Sequence, residues 1–160
     1  MVMVLLGIAA ALVAPHMVSF FRGRVLSSEA RRMIALTHYG QSRAQAEGVP
    51  VLLWIDPKEA TFGLTTRPDR VSADTKAVTY TAGSGVELGV LPPDPPTESE
   101  DADERLGVPP GILAIRFMPD GYYDDASPSR IILRQDDGAE IDLVPTANRL
   151  GYEIAPAKTT

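Results

Sequence analysis

No cysteine occurs in this 160-residue chain, which excludes structural disulfides, Fe–S ligation and thiolate catalysis and leaves the compartment open. Histidine is present only at His16 and His38. The two do not share the i, i+4 spacing of a metal pair, and no His-Glu-x-x-His pattern accompanies them, so zinc chemistry has no ligand set. Gly83-Ser84-Gly85 lacks the Lys and the following helix of a phosphate-binding loop. Bases are outnumbered by acids, 15 to 21, for a net charge of −6. That balance removes a sequence-wide attraction to nucleic acid, which needs clustered Lys and Arg. Asp124-Asp125 and Asp136-Asp137 stand beside turn residues, where Asp accepts backbone hydrogen bonds, and read as turn formers rather than as an acid–base pair. No constellation points to an enzyme, and none to a cofactor.

What is present is one long hydrophobic run. Met1 to Phe21 contains no formally charged side chain, and at about 1.5 Å per residue it spans a hydrocarbon core of about 30 Å. A cleaved secretory signal would need a basic start, which is missing, and the small residues Ala9 to Ala11 lie inside the run rather than beyond it. Pro15 removes one ladder hydrogen bond and predicts a kink rather than an end. Arg22, Arg24, Arg31 and Arg32 follow the run and nothing basic precedes it, so the positive-inside rule, applied to this chain alone, would leave the remainder in the cytoplasm.

From Val25 to about Glu47, the spacing of Leu26, Ala30, Met33, Ile34, Thr37 and Ala44 predicts an amphipathic helix continuous with the apolar run. Ser27 and Ser28 before Glu29 offer an alternative N-cap. Gly48 and Pro50 end the helix. Beyond them the period changes to two. Strands are predicted at Val49–Ile55 and Ala60–Thr66 as a hairpin, and at Lys76–Thr81 and Val86–Leu91 as a second pair around Gly83-Ser84-Gly85. Ile112–Met118 is a strand closed by Pro119-Asp120-Gly121. Arg130–Gln135 and Ala139–Val144 flank Asp136-Asp137-Gly138, and Arg149–Ile154 is a last short strand. Trp54 and Phe117 are expected in the core against the helix face bearing Met33 and Thr37, with Phe62.

The expected fold class is α+β: a long N-terminal helix packed on an antiparallel sheet or sandwich domain. It divides into residues 1–21 as the transmembrane part of the helix, 22–47 as an amphipathic stalk and 48–156 as a β domain. Within the last, residues 92–105 hold six acids, one base and no large apolar side chain, which predicts a disordered acidic surface loop.

This plan resembles the type IV pilin-like proteins. The stretch Ser28-Glu29-Ala30-Arg31-Arg32-Met33 through Gln45-Ala46-Glu47-Gly48-Val49-Pro50-Val51 is similar to the helix-to-strand junction of the GspH/FimT group, the H-type minor pseudopilins of type II secretion. Ile115-Arg116-Phe117-Met118-Pro119-Asp120-Gly121 and the closing Leu150-Gly151-Tyr152 are similar to that group's later strands. The resemblance implies a structural subunit of the pseudopilus, held in the inner membrane with its β domain in the periplasm. The implied partners are other pseudopilins, packed through Leu5, Leu6, Ile8, Leu12, Val13, Pro15, Val18 and Phe21, and the prepilin peptidase. Alignment on Pro15 implies a basic leader and about seven further helix residues upstream of Met1 in the full gene product, including the Glu used in processing and methylation. That leader would restore the usual orientation. The alternative is a FimT-like minor pilin for pilus assembly or DNA uptake, for which Arg130, Arg134, Arg149 and Lys158 are the candidate cations, beside Asp136, Asp137, Glu140 and Asp142.

Overall fold

The computed structural model describes residues 2–66, 74–94 and 112–155, and of residues 2–22 the backbone alone. One helix, α1 (Val2–Glu47), precedes eight strands: β1 (Val51–Asp56), β2 (Thr61–Thr66), β3 (Val78–Thr81), β4 (Val86–Leu91), β5 (Leu113–Phe117), β6 (Arg130–Gln135), β7 (Glu140–Pro145) and β8 (Tyr152–Ile154). The strands form two antiparallel sheets, ordered β3-β2-β1-β5 and β4-β6-β7-β8. The result is the α+β, helix-on-sheets class expected from the periodicity.

The 46 residues of α1 make a rod about 69 Å long. Ser28 does not start a second helix. Its hydroxyl donates to the Val25 carbonyl inside the continuous rod, 2.8 Å away, the back-bonding that Ser makes within helices. At the far end Gly48 adopts a left-handed φ of 68°, and its N–H donates to Ala44 O at 3.0 Å, a glycine C-cap.

Leu26, Ala30, Met33, Thr37, Gly40 and Ala44 are the buried side of α1, alternating by four and three residues as one face of a helix must. This face meets Val51, Leu53 and Ile55 of β1, Phe62 and Leu64 of β2, Ile115 and Phe117 of β5, Val86 and Leu88 of β4, Ile131 and Leu133 of β6, Leu143 of β7 and Tyr152 of β8 in one core. Both sheets therefore close on the same stripe. Gly40 marks the closest approach: a Cβ there would stand 2.9 Å from Leu64 Cδ2 and Phe117 Cδ2, inside van der Waals contact.

The β1–β2 hairpin has the expected register, with Trp54 opposite Gly63 and Ile55 opposite Phe62. Asp56 Oδ1 accepts from the N–H groups of Lys58 and Glu59, the Asx turn for which Asp is suited. The β6–β7 hairpin turns at Gly138, whose φ is 86°.

Two expectations are corrected. β3 and β4 do not pair with each other: β3 joins β2 and β4 joins β6, in different sheets. Thr79, Tyr80 and Thr81 of β3 are exposed, so β3 suits a sheet edge. β4 buries Val86 and Leu88 and is drawn to the second sheet. Gly83 passes beneath α1, where a Cβ would meet Val25 Cγ1 at 2.7 Å. The Gly-Ser-Gly turn is thus a crossover, which local chemistry does not distinguish from a hairpin. Trp54 also lies outside the core under α1. It is half-buried with Leu52, Ala114 and Ile112 on the opposite face of its sheet, because alternation sends residues 52 and 54 away from residues 51, 53 and 55. There its ring covers Gly63, whose Cβ would fall 2.7 Å from Trp54 Cζ2; an aromatic over a cross-strand glycine supplies the packing glycine lacks. Phe62 and Phe117 are fully buried, as expected.

Five strands are also shorter at one or both ends than predicted: β2 begins at Thr61 rather than Ala60, β3 at Val78 rather than Lys76, and β5 spans Leu113–Phe117 rather than Ile112–Met118. β1 begins at Val51 rather than Val49, beyond the helix cap. β8 begins at Tyr152 because Arg149 takes a left-handed φ of 60° in a turn closed by Arg149 N–H to Thr146 O and Thr146 N–H to Gly151 O. Residues 95–105 of the expected acidic loop lie outside the described residues.

Deleting the Phe117 ring under α1 leaves a cavity between helix and sheet. Phe117→Ala is expected to cost roughly 3–5 kcal/mol, and Trp54→Ala, which opens a solvent-side face, distinctly less. Chemical denaturation of the two variants checks the order; equal losses would mean the facing of β1 is wrong.

Candidate assembly site

The residues expected to pack against neighbouring subunits, Leu5, Leu6, Ile8, Leu12, Val13, Pro15, Val18 and Phe21, all fall on the N-terminal half of α1. Their side chains lie outside the described residues. The described packing of α1 on the sheets begins at Val25 and Leu26. Among the described residues no helix is long and apolar enough to cross a membrane; the side chains of the apolar run are not among them.

The C-terminal half of α1 is fixed to the β domain by two polar ties. The first centres on Arg43, whose side chain is 4% exposed. Its Nη2 donates to Asp74 Oδ1 at 2.6 Å and its Nε to Glu47 Oε1 at 3.1 Å. Lys76 Nζ reaches Glu47 at 2.6 Å. Asp74 also accepts from the backbone N–H groups of Thr66 (2.7 Å) and Lys76 (2.9 Å). Burial by itself raises the Asp74 carboxyl, but the hydrogen bonds from Arg43, Thr66 and Lys76 outweigh it and hold the group well below the usual carboxylate range. Sequence reasoning missed this pair. The Arg43–Glu47 spacing of four is legible on a helix, whereas Asp74 is 31 residues from Arg43 and belongs to no predicted element. The second tie is Gln41, whose Nε2 donates to Gly121 O at 2.7 Å. It joins the helix to the Pro-Asp-Gly turn, where Gly121 holds a φ of 92°.

The paired aspartates act as structural groups. Asp124 Oδ2 accepts from the buried Arg116 guanidinium at 3.1 Å and Oδ1 from Ser127 at 3.1 Å. Asp137 Oδ1 accepts from the Ala139 N–H. Among the described residues no group of His, Cys, Asp and Glu is placed to hold a metal ion. His38 is exposed on α1. The cations weighed for nucleic acid are each matched by a carboxylate: Arg130 with Asp142 at 3.1 Å, Arg134 with Glu140 at 2.8 Å and Arg149 with Asp125 at 2.6 Å. Lys158 lies outside the described residues.

Because its folded-state pKa is depressed, Asp74 contributes stability that is complete above its unfolded pKa of about 4 and lost as pH falls below that value. Asp74→Asn is expected to destabilise by roughly 1.5–3 kcal/mol, since it removes a charge-assisted hydrogen bond and leaves the buried Arg43 with Glu47 as its remaining carboxylate, and to flatten the acid limb of the stability profile. Thermal melts between pH 7 and pH 3 read both effects.

No family model and no curated protein matches the chain. Among solved structures it is similar to the minor pseudopilin EpsH from the Type 2 Secretion System of Vibrio cholerae, with a TM-score of 0.56 and 8% sequence identity, over 83% of this chain and 98% of that one. One N-terminal helix laid across two antiparallel sheets is thus a fold the chain shares with that pseudopilin, and the fold is pilin-like.

Proposed function

We propose that the chain is a minor pseudopilin, a structural subunit of a type II secretion pseudopilus, working by packing rather than by chemistry. In this reading residues 2–21 hold the protein in the inner membrane, and the β domain stands in the periplasm. The observation that carries it is the division of α1: Val25 to Ala44 is packed on the sheets, while the uncharged residues 2–21 precede that packed part on the same rod. Transfer of such a segment from lipid to a bundle of neighbouring apolar helices keeps it out of water, so assembly conserves most of its burial. The pilin-like fold over 98% of EpsH supports the same reading, and so do the junction and Pro-Asp-Gly sequences. Other pseudopilins are then the partners, and the prepilin peptidase acts on the precursor. The FimT-like alternative of DNA capture is disfavoured by the pairing of Arg130, Arg134 and Arg149 with carboxylates, because counterion release needs cations that are not already neutralised.

In a strain lacking the gene, export of secreted proteins to the medium is expected to fail and to return with the full-length gene. Leu12→Arg is expected to fail to restore it, since a central charge costs about 2.5–3.5 kcal/mol on insertion. Co-expression with the peptidase is expected to shorten the full-length product by its leader. Normal export from the deletion strain would overturn the proposal.

A further inference from the structure

Among the described residues α1 carries Gly23 and Gly40, and the two glycines answer different constraints. At Gly40 a Cβ would strike Leu64 and Phe117 at 2.9 Å, so packing excludes any larger residue. At Gly23 a Cβ would meet nothing within 4 Å, and the residue is exposed. Glycine inside a helix lowers the local helical equilibrium about fivefold relative to alanine, through the backbone freedom it gives up. At Gly40 the packed Phe117 ring offsets that loss; at Gly23 no contact does. What glycine supplies at position 23 is the freedom itself.

That freedom lies where it has leverage. The uncharged run ends at Phe21, and the packing of α1 on the sheets begins at Val25 and Leu26. Gly23 stands between the two. The turn after it is weak as well: Val25, Ser27 and Ser28 are poorer helix formers than alanine, and the Ser28 hydroxyl donates to Val25 O at 2.8 Å, competing with the ladder bond to the same carbonyl. Glycine and serine in one turn, with a side chain inserted into the ladder, are known causes of helix kinks. Further along, Gln41 and Arg43 lock α1 to the β domain. A bend therefore does not spread through the packed half and is taken up beside Gly23.

We propose that Gly23 is a hinge, about which residues 25–47 and the β domain swing as one body relative to the apolar half of α1. The proposal rests on the subunit reading above, in which residues 2–21 are held by lipid or by neighbouring helices. From Gly23 to Glu47 the helix is a lever of about 36 Å, so a bend of about 20° carries its far end about 12 Å. The β domain then reaches its lateral contacts while the apolar half keeps its own packing.

The absence of cysteine makes the test direct. Full-length protein carrying Ala10→Cys and Tyr122→Cys, one on each side of the hinge, is spin-labelled in lipid vesicles, and the distance between the labels is measured by pulsed electron paramagnetic resonance. A broad distribution is expected. Gly23→Ala introduces no contact; it is expected to leave the melting temperature of the β domain unchanged and to deplete the bent population about fivefold, which narrows the distribution. Ala35→Gly, added to Gly23→Ala, restores a glycine at an exposed position inside the packed half and is expected not to restore the breadth. A narrow distribution in the unaltered chain, a broad one that Gly23→Ala leaves unchanged, or breadth regained through Ala35→Gly would each overturn the hinge. Export from a Gly23→Ala strain is expected to fall severalfold, and full export beside a narrowed distribution would overturn the hinge's part in assembly. Normal export from the deletion strain removes the subunit reading instead and leaves the distance result standing.

Discussion

Between Ala30 and Ala44 the side of α1 turned toward the sheets carries Ala30, Thr37, Gly40 and Ala44, with Met33 as its bulkiest member. This run of small residues lets two sheets share one helix. Phe117 and Leu64 lie against Gly40 so closely that a Cβ would meet both at 2.9 Å, and their rings and branches fill the space a larger helical residue would take. Glycine inside a helix costs about 1 kcal/mol relative to alanine; here that cost is offset by burial of an entire phenylalanine, which is worth several times as much. The order β3-β2-β1-β5 against β4-β6-β7-β8 follows, because each sheet must bring its most apolar central strand, β1 or β6, under the same stripe.

Close packing fixes distance but not rotation, and rotation is where the polar ties act. Apolar contacts are non-directional, so a stripe of alanine and glycine tolerates a small turn of α1 about its axis. Arg43 does not: its guanidinium is buried and shared between Asp74 and Glu47, and a turn of the helix would strand a buried charge. Gln41 on Gly121 O adds a second fixed point two residues earlier, on another side of the helix. With rotation set, the opposite face, Arg24 through Ser42, has a defined direction.

The sequence made the layers legible and left their connections obscure. A period of 3–4 through Leu26, Met33 and Ala44 and a period of two through Val51, Leu53 and Ile55 are local signals, and each element they mark is present. Asp56, Gly48, Gly121 and Gly138 act at the turns their chemistry suggested. What failed were questions decided by partners distant in sequence, although Phe117 did take its expected place under α1. Whether Gly83-Ser84-Gly85 closes a hairpin depends on which strand offers a more apolar neighbour. Trp54 was placed in the core on hydrophobicity, although alternation from Val51 already put it on the other face. The Asp74–Arg43 pair was invisible because ion pairs across 31 residues leave no periodic trace. The residues proposed for assembly, from Leu5 to Phe21, read as an apolar span, and a helix apolar all round has no amphipathic direction from which a packing face could be chosen.

Shared architecture with EpsH at 8% identity is consistent with where the constraints fall. A core tolerates wholesale exchange of apolar side chains if volume and pattern survive, so two chains need agree only on a helix with one small-residue face and on strands of matching period. Such agreement specifies shape and leaves the outer surfaces free to differ. The outer surfaces are therefore where chains of one fold differ. On those surfaces charges of opposite sign stand in pairs, Arg32 with Glu29 at 2.9 Å on α1 and Arg149 with Asp125 at 2.6 Å beside its end. Exposed pairs of this kind contribute little to the stability of a single domain, whereas the buried Arg43–Asp74 pair is part of what holds the helix on its sheets.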